Sequence, residues 1–235
     1  MLREWDKLPD RMKNDDVRRY YDILKKRKLS LFIKRAFDII MSAILLIVIS
    51  PLLLILVILI KLDSQGSVFF RQERITRYGK SFKIFKFRTM IANAEKIGSQ
   101  ITISNDSRIT RIGRVLRKYR LDEVPQCIDI LRGTMTFVGT RPEVPKYIDR
   151  YTPEMMATLL LPAGVTSEAS IIYKDEAKLL DNASDVDETY TDIVLPAKMI
   201  YNLKSIERFH FGRDIKILFM TILAVCGKEY GDTDH

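Results

Sequence analysis

Residues 34–61 read KRAFDIIMSAILLIVISPLLLILVILIK, a long apolar run with basic residues at both ends and Ser50 and Pro51 near its middle. A helix of about 20 apolar residues crosses the ~30 Å hydrocarbon core of a bilayer, so this stretch meets a membrane. Pro51 has no N–H for the carbonyl four residues back and its ring crowds that turn, which predicts a break there into two arms, each too short to span alone. Lys25, Lys26, Arg27, Lys28, Lys34 and Arg35 precede the run, while Lys61, Arg71, Arg74, Arg77, Lys80 and Lys83 follow it. Basic residues favour the cytoplasmic side, and a single crossing would send one of these groups to the other face. A re-entrant hairpin broken at Ser50 and Pro51 keeps both groups on one side, and the flanking charge favours it. A single spanning helix kinked at the proline is the competing reading, since bilayer helices tolerate such kinks.

Around this run, 235 residues leave room for one domain plus an anchor. The net charge of +9 points to an anionic partner: lipid head groups, phosphorylated substrate or nucleic acid. Cys127 and Cys226 show no metal-ligand spacing and no disulfide framework, and His210 and His235 are too scattered for a histidine metal site or a catalytic triad. The run follows a charged segment without a small-residue cleavage site, so it is expected to stay in the mature protein.

Upstream, Asp15 and Asp16 followed by VRRYYDILKKRK predict a capped helix with a basic end. It reads as a surface helix over residues 1–33 lying on anionic lipid, with an ordinary solvated helix as the alternative. Arg35 and Asp38 share a helical face and are expected to pair at the membrane boundary, fixing depth rather than doing chemistry.

Downstream, residues 66–90 alternate apolar and basic side chains on either side of Tyr78, Gly79 and Lys80, a β-hairpin pattern. Aromatic and basic residues interleaved in this way also suit single-stranded nucleic acid. A helix is expected over residues 91–97. Arg108, Arg111, Arg114, Arg117, Lys118 and Arg120 recur about every three residues, a basic helical face suited to phosphate or lipid. Asp122, Glu123, Pro125 and the stop at Gly133 form a complete helix signature with Asp122 as N-cap, which requires no chemistry. The same placement would keep Asp122 ionised at a positive helix end where phosphate also binds. Arg141, extended ahead of Pro142, projects a guanidinium from a fixed backbone.

Helical segments are expected within residues 146–161, then an elbow at Ala163 and Gly164, and a short strand over 167–173. A solvated acidic helix-loop follows over 175–192, then a helix opened by Pro196 and an interfacial or buried helix over 214–226. The class is α+β, mainly helical with a short β-hairpin. Its units are residues 1–33, the membrane helix 34–61, a cytoplasmic domain 62–226 and a flexible tail 227–235.

The stretches KRAFDII, FFRQERITRYGKSFKIFKFRTM, ITRIGRVLRKYRLDEVPQCIDILRG and FVGTRPE, in this order, resemble the bacterial sugar transferases, the monotopic phosphoglycosyl transferases acting on polyprenyl phosphate. The likeness runs from about residue 34 to residue 222. It implies a re-entrant helix broken at Ser50 and Pro51, a catalytic pair Asp122 and Glu123, and magnesium as cofactor with Glu123 as its ligand. It implies transfer of a sugar phosphate from a UDP-sugar to undecaprenyl phosphate through a phosphosugar on Asp122, with release of UMP, at the cytoplasmic face of the bacterial inner membrane. Arg88, Arg111, Arg117 and Arg141 are the candidate phosphate clamps. The implied partners are the UDP-sugar, undecaprenyl phosphate and membrane lipids, with no nucleic acid and with a homodimer left open. The larger relatives carry extra membrane helices ahead of this unit, so the chain is expected to be the minimal form.

Three departures stand out. Gly133-Thr134-Met135-Thr136 replaces a common Gly-Asp-Met-Ser, Gly139-Thr140-Arg141-Pro142 replaces Gly-Pro-Arg-Pro, and Ser167 stands where many members have a glycine after the threonine. The rival reading is a non-catalytic membrane scaffold or an anionic-lipid or nucleic-acid binding module.

Overall fold

The Asn14 side chain accepts a hydrogen bond from Val17 N at 2.9 Å and so caps the first helix, α1 (Asp15–Lys26). The structure is a computed structural model that describes residues 2–94, 106–180, 185–228 and 230. Val17, Tyr20, Tyr21 and Leu24 recur at helical spacing and enter the main core with Leu8 and Met12. Burying one such Val or Leu side chain stabilises the fold by about 1.5–3 kcal/mol. The helix expected on the surface therefore gives one face to the core, while Lys25 and Lys26 stay exposed.

Only Arg27 separates α1 from α2 (Lys28–Asp63), so the unit boundary expected at residue 33 falls inside a helix. No glycine or proline interrupts residues 27–33 to stop it. Among the described residues α2 is the one helix long and apolar enough to cross a membrane. It runs through Pro51 without the expected break. The carbonyl of Ile47, which lacks a partner because proline carries no N–H, accepts the Ser50 hydroxyl at 2.8 Å. The central residues Ile44, Ile47, Val48, Leu54, Ile55 and Ile58 are exposed, yet both ends pack on the rest of the chain. Leu56 and Ile60 at one end join Val68, Phe87 and Leu116.

At the other end Arg35 and Asp38 do not pair with each other as expected. Arg35 donates to the carbonyls of Ile130 (2.7 Å) and Leu131 (3.1 Å). Asp38 accepts from Thr136 Oγ1 (2.7 Å) and Phe137 N (3.2 Å). Open backbone groups at a helix end and beside a strand compete for these charges, and in a buried setting each such group left unmade would cost about 1–3 kcal/mol. Lys34 is buried and bonded to Val138 O (2.8 Å) and Asp214 Oδ2 (2.6 Å).

The predicted hairpin is present in two pieces of one register. Strand β1 (Phe69–Phe70) and β2 (Glu73–Ile75) return through β3 (Ser81–Lys83) and β4 (Lys86–Phe87), pairing Glu73 with Lys83 and Phe69 with Phe87. Tyr78 (φ 61°) and Gly79 (φ 70°) both take the left-handed conformation that a tight hairpin turn requires. Of the helix expected over 91–97, residues 91–94 form turns and the remainder lies outside the described residues.

Thr110 caps α3 (Arg111–Lys118), and Gly133, at φ 78°, ends α4 (Gln126–Arg132) as its composition predicted. The elbow expected at Ala163 and Gly164 is instead a strand. Strand β5 (Met135–Val138) pairs in parallel with β6 (Ala163–Thr166), Met135 opposite Ala163. A Cβ on Gly164 would stand 2.1 Å from the Gly139 carbonyl oxygen, so the glycine serves close backbone approach rather than flexibility.

Between these strands lie α5 (Pro145–Ile148) and a 3-10 segment, Met155–Leu160, stopped at Pro162 as expected. The strand expected after residue 167 is helix α6 (Glu168–Ile172), because Ser167 caps it through Ser170 N. The acidic stretch forms α7 (Glu176–Leu180), α8 (Val186–Thr189) and a π-helical turn, Tyr190–Val194. It is not merely solvated: Leu180, Tyr190 and Val194 reach the main core. Helix α9 (Leu195–Glu207) follows, then α10 (Phe211–Val225), which exposes Phe219, Ile222, Leu223 and Val225. Most of the tail expected over 227–235 lies outside the described residues.

Candidate active site

Arg120, a non-glycine residue at φ 55°, turns the chain sharply after α3 into the single 3-10 turn Leu121–Glu123. Asp122 and Glu123 occupy that turn and both are buried. Asp122 is not the cap of α4, whose first helical residue is Gln126 and whose N-cap position is Pro125. Backbone carbonyls already meet the first N–H groups of α4, Cys127 N bonding Val124 O at 3.1 Å and Ile128 N bonding Pro125 O at 3.0 Å, so the aspartate is released from that task.

The two carboxylates differ. Glu123 Oε1 accepts from Lys86 Nζ at 2.8 Å and from Arg141 Nη2, while Oε2 makes only a 3.4 Å contact with Arg141 Nη1. Burial works against its charge, but Arg141 and Lys86 outweigh burial and hold its carboxyl well below the usual range. Asp122 Oδ1 is buried and has no hydrogen-bond partner. Burial first, and then the charge on Glu123, push the Asp122 carboxyl up, against the pull of Lys86, Arg117 and Arg120. One acid is thus locked as a structural anion, and its neighbour stands bare and basic.

Both line a cavity of about 1530 Å³. This exceeds the ~300–1,000 Å³ of a typical small-ligand pocket and leaves room for two reactants. Basic side chains wall one part of it, and Phe37, Met41, Leu45 and Ile49 of α2 with Leu218, Ile222 and Val225 of α10 wall another. The cavity therefore joins a polar chamber to an apolar flank.

Of the four expected phosphate ligands, the fold brings Arg88, Arg117 and Arg141 to this cavity, and Arg111 is not among its lining residues. Arg111 and Arg117 are six positions apart and point about 120° apart around α3, which leaves Arg111 exposed. Arg117 donates Nε to Thr89 Oγ1 at 2.9 Å. The two Nη groups of Arg88 bond the carbonyls of Gln65 (2.8 Å) and Ser64 (2.6 Å), just beyond the end of α2. Cys127 also faces the cavity, but burial pushes its thiol up to about 11, which keeps it protonated and a poor nucleophile.

Lys86 escaped the sequence reading as a site residue. Strand alternation was its signal, since it sets Lys86 on the face opposite Phe85 and Phe87. Thr134, which departs from the family pattern, binds the Asp129 carbonyl at 3.0 Å, and Asp129 accepts Phe85 N at 2.7 Å, which supports the hairpin beside the site.

Residues 29–228 match the family model described as bacterial sugar transferase. The chain is 34% identical over 197 residues to a UDP-N-acetylgalactosamine-undecaprenyl-phosphate N-acetylgalactosaminephosphotransferase from Aeromonas hydrophila, covering 83% of this chain and 44% of that protein. It is 30% identical to the exopolysaccharide production protein ExoY of Rhizobium meliloti, over 82% of this chain and 85% of the relative. Against the UDP-glucose:undecaprenyl-phosphate glucose-1-phosphate transferase of Escherichia coli the identity is 33%, over 81% of this chain and 39% of the relative. The chain thus spans less than half of two of these relatives and most of the third.

Proposed function

We propose, from the premise that this chain belongs to the bacterial sugar transferase family, that it moves a sugar 1-phosphate from a UDP-sugar to undecaprenyl phosphate and releases UMP. The observation that carries the reading is a buried Asp122 whose Oδ1 has no hydrogen-bond partner, set in the wall of a cation-lined cavity. The names of the relatives, which act on undecaprenyl phosphate with sugar donors, support the substrate classes.

In the first step a carboxylate oxygen of Asp122 attacks the phosphorus that carries the sugar. The bond from that phosphorus to the bridging oxygen breaks, and UMP departs with the electron pair. In the second, an oxygen of the lipid phosphate attacks the same phosphorus, and the bond to Asp122 breaks to restore the carboxylate. Arg117, Arg141 and Lys86 hold charge opposite the phosphate oxygens. Glu123 keeps Lys86 and Arg141 in place.

The weakly engaged Glu123 Oε2 would hold a magnesium ion, the proposed cofactor. Among the described residues no group of three or more His, Cys, Asp and Glu side chains gathers for a metal, so substrate oxygens would complete its shell, as magnesium commonly requires. When bound, it supplies charge neutralisation at the diphosphate.

The membrane helix is proposed to be re-entrant, with the catalytic residues at the cytoplasmic face of the inner membrane. Arg35 binds the end of α4, and Leu56 and Ile60 near the other end of α2 join the cluster of Val68, Phe87 and Leu116. Packing of both ends on the rest of the chain supports this reading, and the exposed middle around Pro51 is left for lipid. Cysteines introduced at Leu29 and Leu62 are expected to react from the same side with an impermeant reagent in sealed vesicles. Labelling from opposite sides would establish a spanning helix instead.

The activity is tested by incubating the membrane-embedded protein with undecaprenyl phosphate, magnesium and a panel of UDP-sugars, and measuring UMP. Release with none of them would overturn the proposal. Asp122 must be ionised to attack, so activity is lost as pH falls through its pKa. Lys86→Met removes a cation that lowers this pKa, and the acid limb of kcat/KM is expected to move to higher pH. Glu123→Gln removes a like charge and is expected to move it lower.

A further inference from the structure

Beyond Arg141 the cavity continues into a second polar cluster on α7, the π-helical turn and α9. Lys198 Nζ donates to Glu176 Oε2 at 2.8 Å and approaches the Tyr190 hydroxyl at 3.4 Å. Tyr190 donates to Glu143 Oε1 at 2.6 Å, and its ring lies 4.9 Å from that of Tyr147. Glu143, Glu176, Tyr147, Tyr190 and Lys198 all line the same cavity as Asp122. Lys198 is 5% exposed at its side chain while Glu176 is 33% exposed, so the carboxylate is the member that meets an occupant.

We infer that this cluster holds the sugar ring of the donor and sets which hydroxyl pattern is accepted. The inference rests on the proposed transferase reading and deepens it. Charge separates the two ends of the cavity. Asp122 is flanked by Lys86, Arg117 and Arg120, an excess of cations suited to phosphate. In the second cluster Arg74 and Lys198 meet Glu143 and Glu176, a balanced set in which carboxylates would repel a phosphate group. A sugar ring is uncharged, and each hydroxyl both donates and accepts, which matches carboxylate acceptors beside ammonium and phenol donors.

Position agrees with chemistry. Arg141 binds Glu123, the neighbour of Asp122, and lines the same cavity as Glu143, Glu176 and Lys198. On this inference the sugar lies on the Arg141 side of the attacked phosphorus, toward Glu176 and Lys198. The pairing is also a costly way merely to tie α7 to α9, because apolar residues often replace a buried ion pair without loss of stability.

The test compares wild-type protein with the Glu176→Gln and Lys198→Met variants. UMP release is measured with UDP-glucose, UDP-galactose and their N-acetyl counterparts, in membranes with undecaprenyl phosphate. Sites that hydrogen-bond a substrate hydroxyl discriminate strongly against analogues lacking it. The ratio of kcat/KM between the best donor and its epimer is expected to change about ten-fold or more in each variant. An equal fall for every donor, with the ratio kept, would show a staple between helices and overturn the assignment. If a variant does not fold, Tyr190→Phe, which keeps the ring and removes the hydroxyl, is read by the same ratio. Wild-type protein inactive with every donor overturns the transferase reading and this inference with it. Wild-type turnover with unchanged ratios overturns this inference alone.

Discussion

Asp122→Asn is expected to lower UMP release by about 10³-fold or more, the scale on which loss of a covalent nucleophile is felt. The amide keeps the shape and removes the attacking charge. Wild-type protein incubated with a UDP-sugar labelled in the sugar-linked phosphate should retain label after denaturation, and the variant should not. The same substitution is expected to leave the thermal unfolding midpoint unchanged or higher. Burial raises the folded pKa of Asp122 above its unfolded value. The folded state then holds more protons between the two values, so stability falls as pH rises through that window. At neutral pH the ionised carboxylate costs stability, and the neutral amide removes that cost. Loss of activity with stability retained would separate a nucleophile from a structural residue, whereas normal turnover in the variant would sink the assignment.

Arg141→Met is expected to damage both properties. It leaves the buried carboxylate of Glu123 with Lys86 alone, and breaking a buried pair in this way costs on the order of 3 kcal/mol. Removing a preorganised donor at a site of developing charge costs a further ~10²-fold or more in rate. The double variant Arg141→Met with Glu123→Gln divides the two effects. Neutralising the stranded acid should recover most of the lost stability in a denaturant titration, while UMP release stays low. Recovery of activity along with stability would mean that Arg141 acts only through Glu123.

Much of the scaffold was legible in local patterns. The hairpin followed from alternation around Tyr78 and Gly79, and the end of α4 followed from Gly133. The basic spacing of α3 was readable too, but not which of its arginines would face inward. Arg111 and Arg117 look equivalent along the chain and differ only once α3 packs against the rest of the domain. The parallel pair β5 and β6 was missed because its strands lie 28 residues apart and Gly164 in β6 read as a flexible joint. The acidic pair was legible as two neighbours, and the opposite electrostatic settings of its two carboxylates were not. Glu123 is set apart from Asp122 by Lys86 and Arg141, 37 and 18 residues away in the chain.

The membrane helix shows the same division. Its apolar length, its basic flanks and Pro51 are properties of adjacent residues, and by themselves they marked a helix long and apolar enough to cross a bilayer. They also suggested a broken helix and an Arg35–Asp38 pair. Only the tertiary structure decided that Arg35 and Asp38 bind backbone groups near residue 130 and on β5. The physical reason is one of range: periodicity and propensity act over a few residues, whereas a buried charge takes its partner from whichever part of the chain folding brings within about 3 Å.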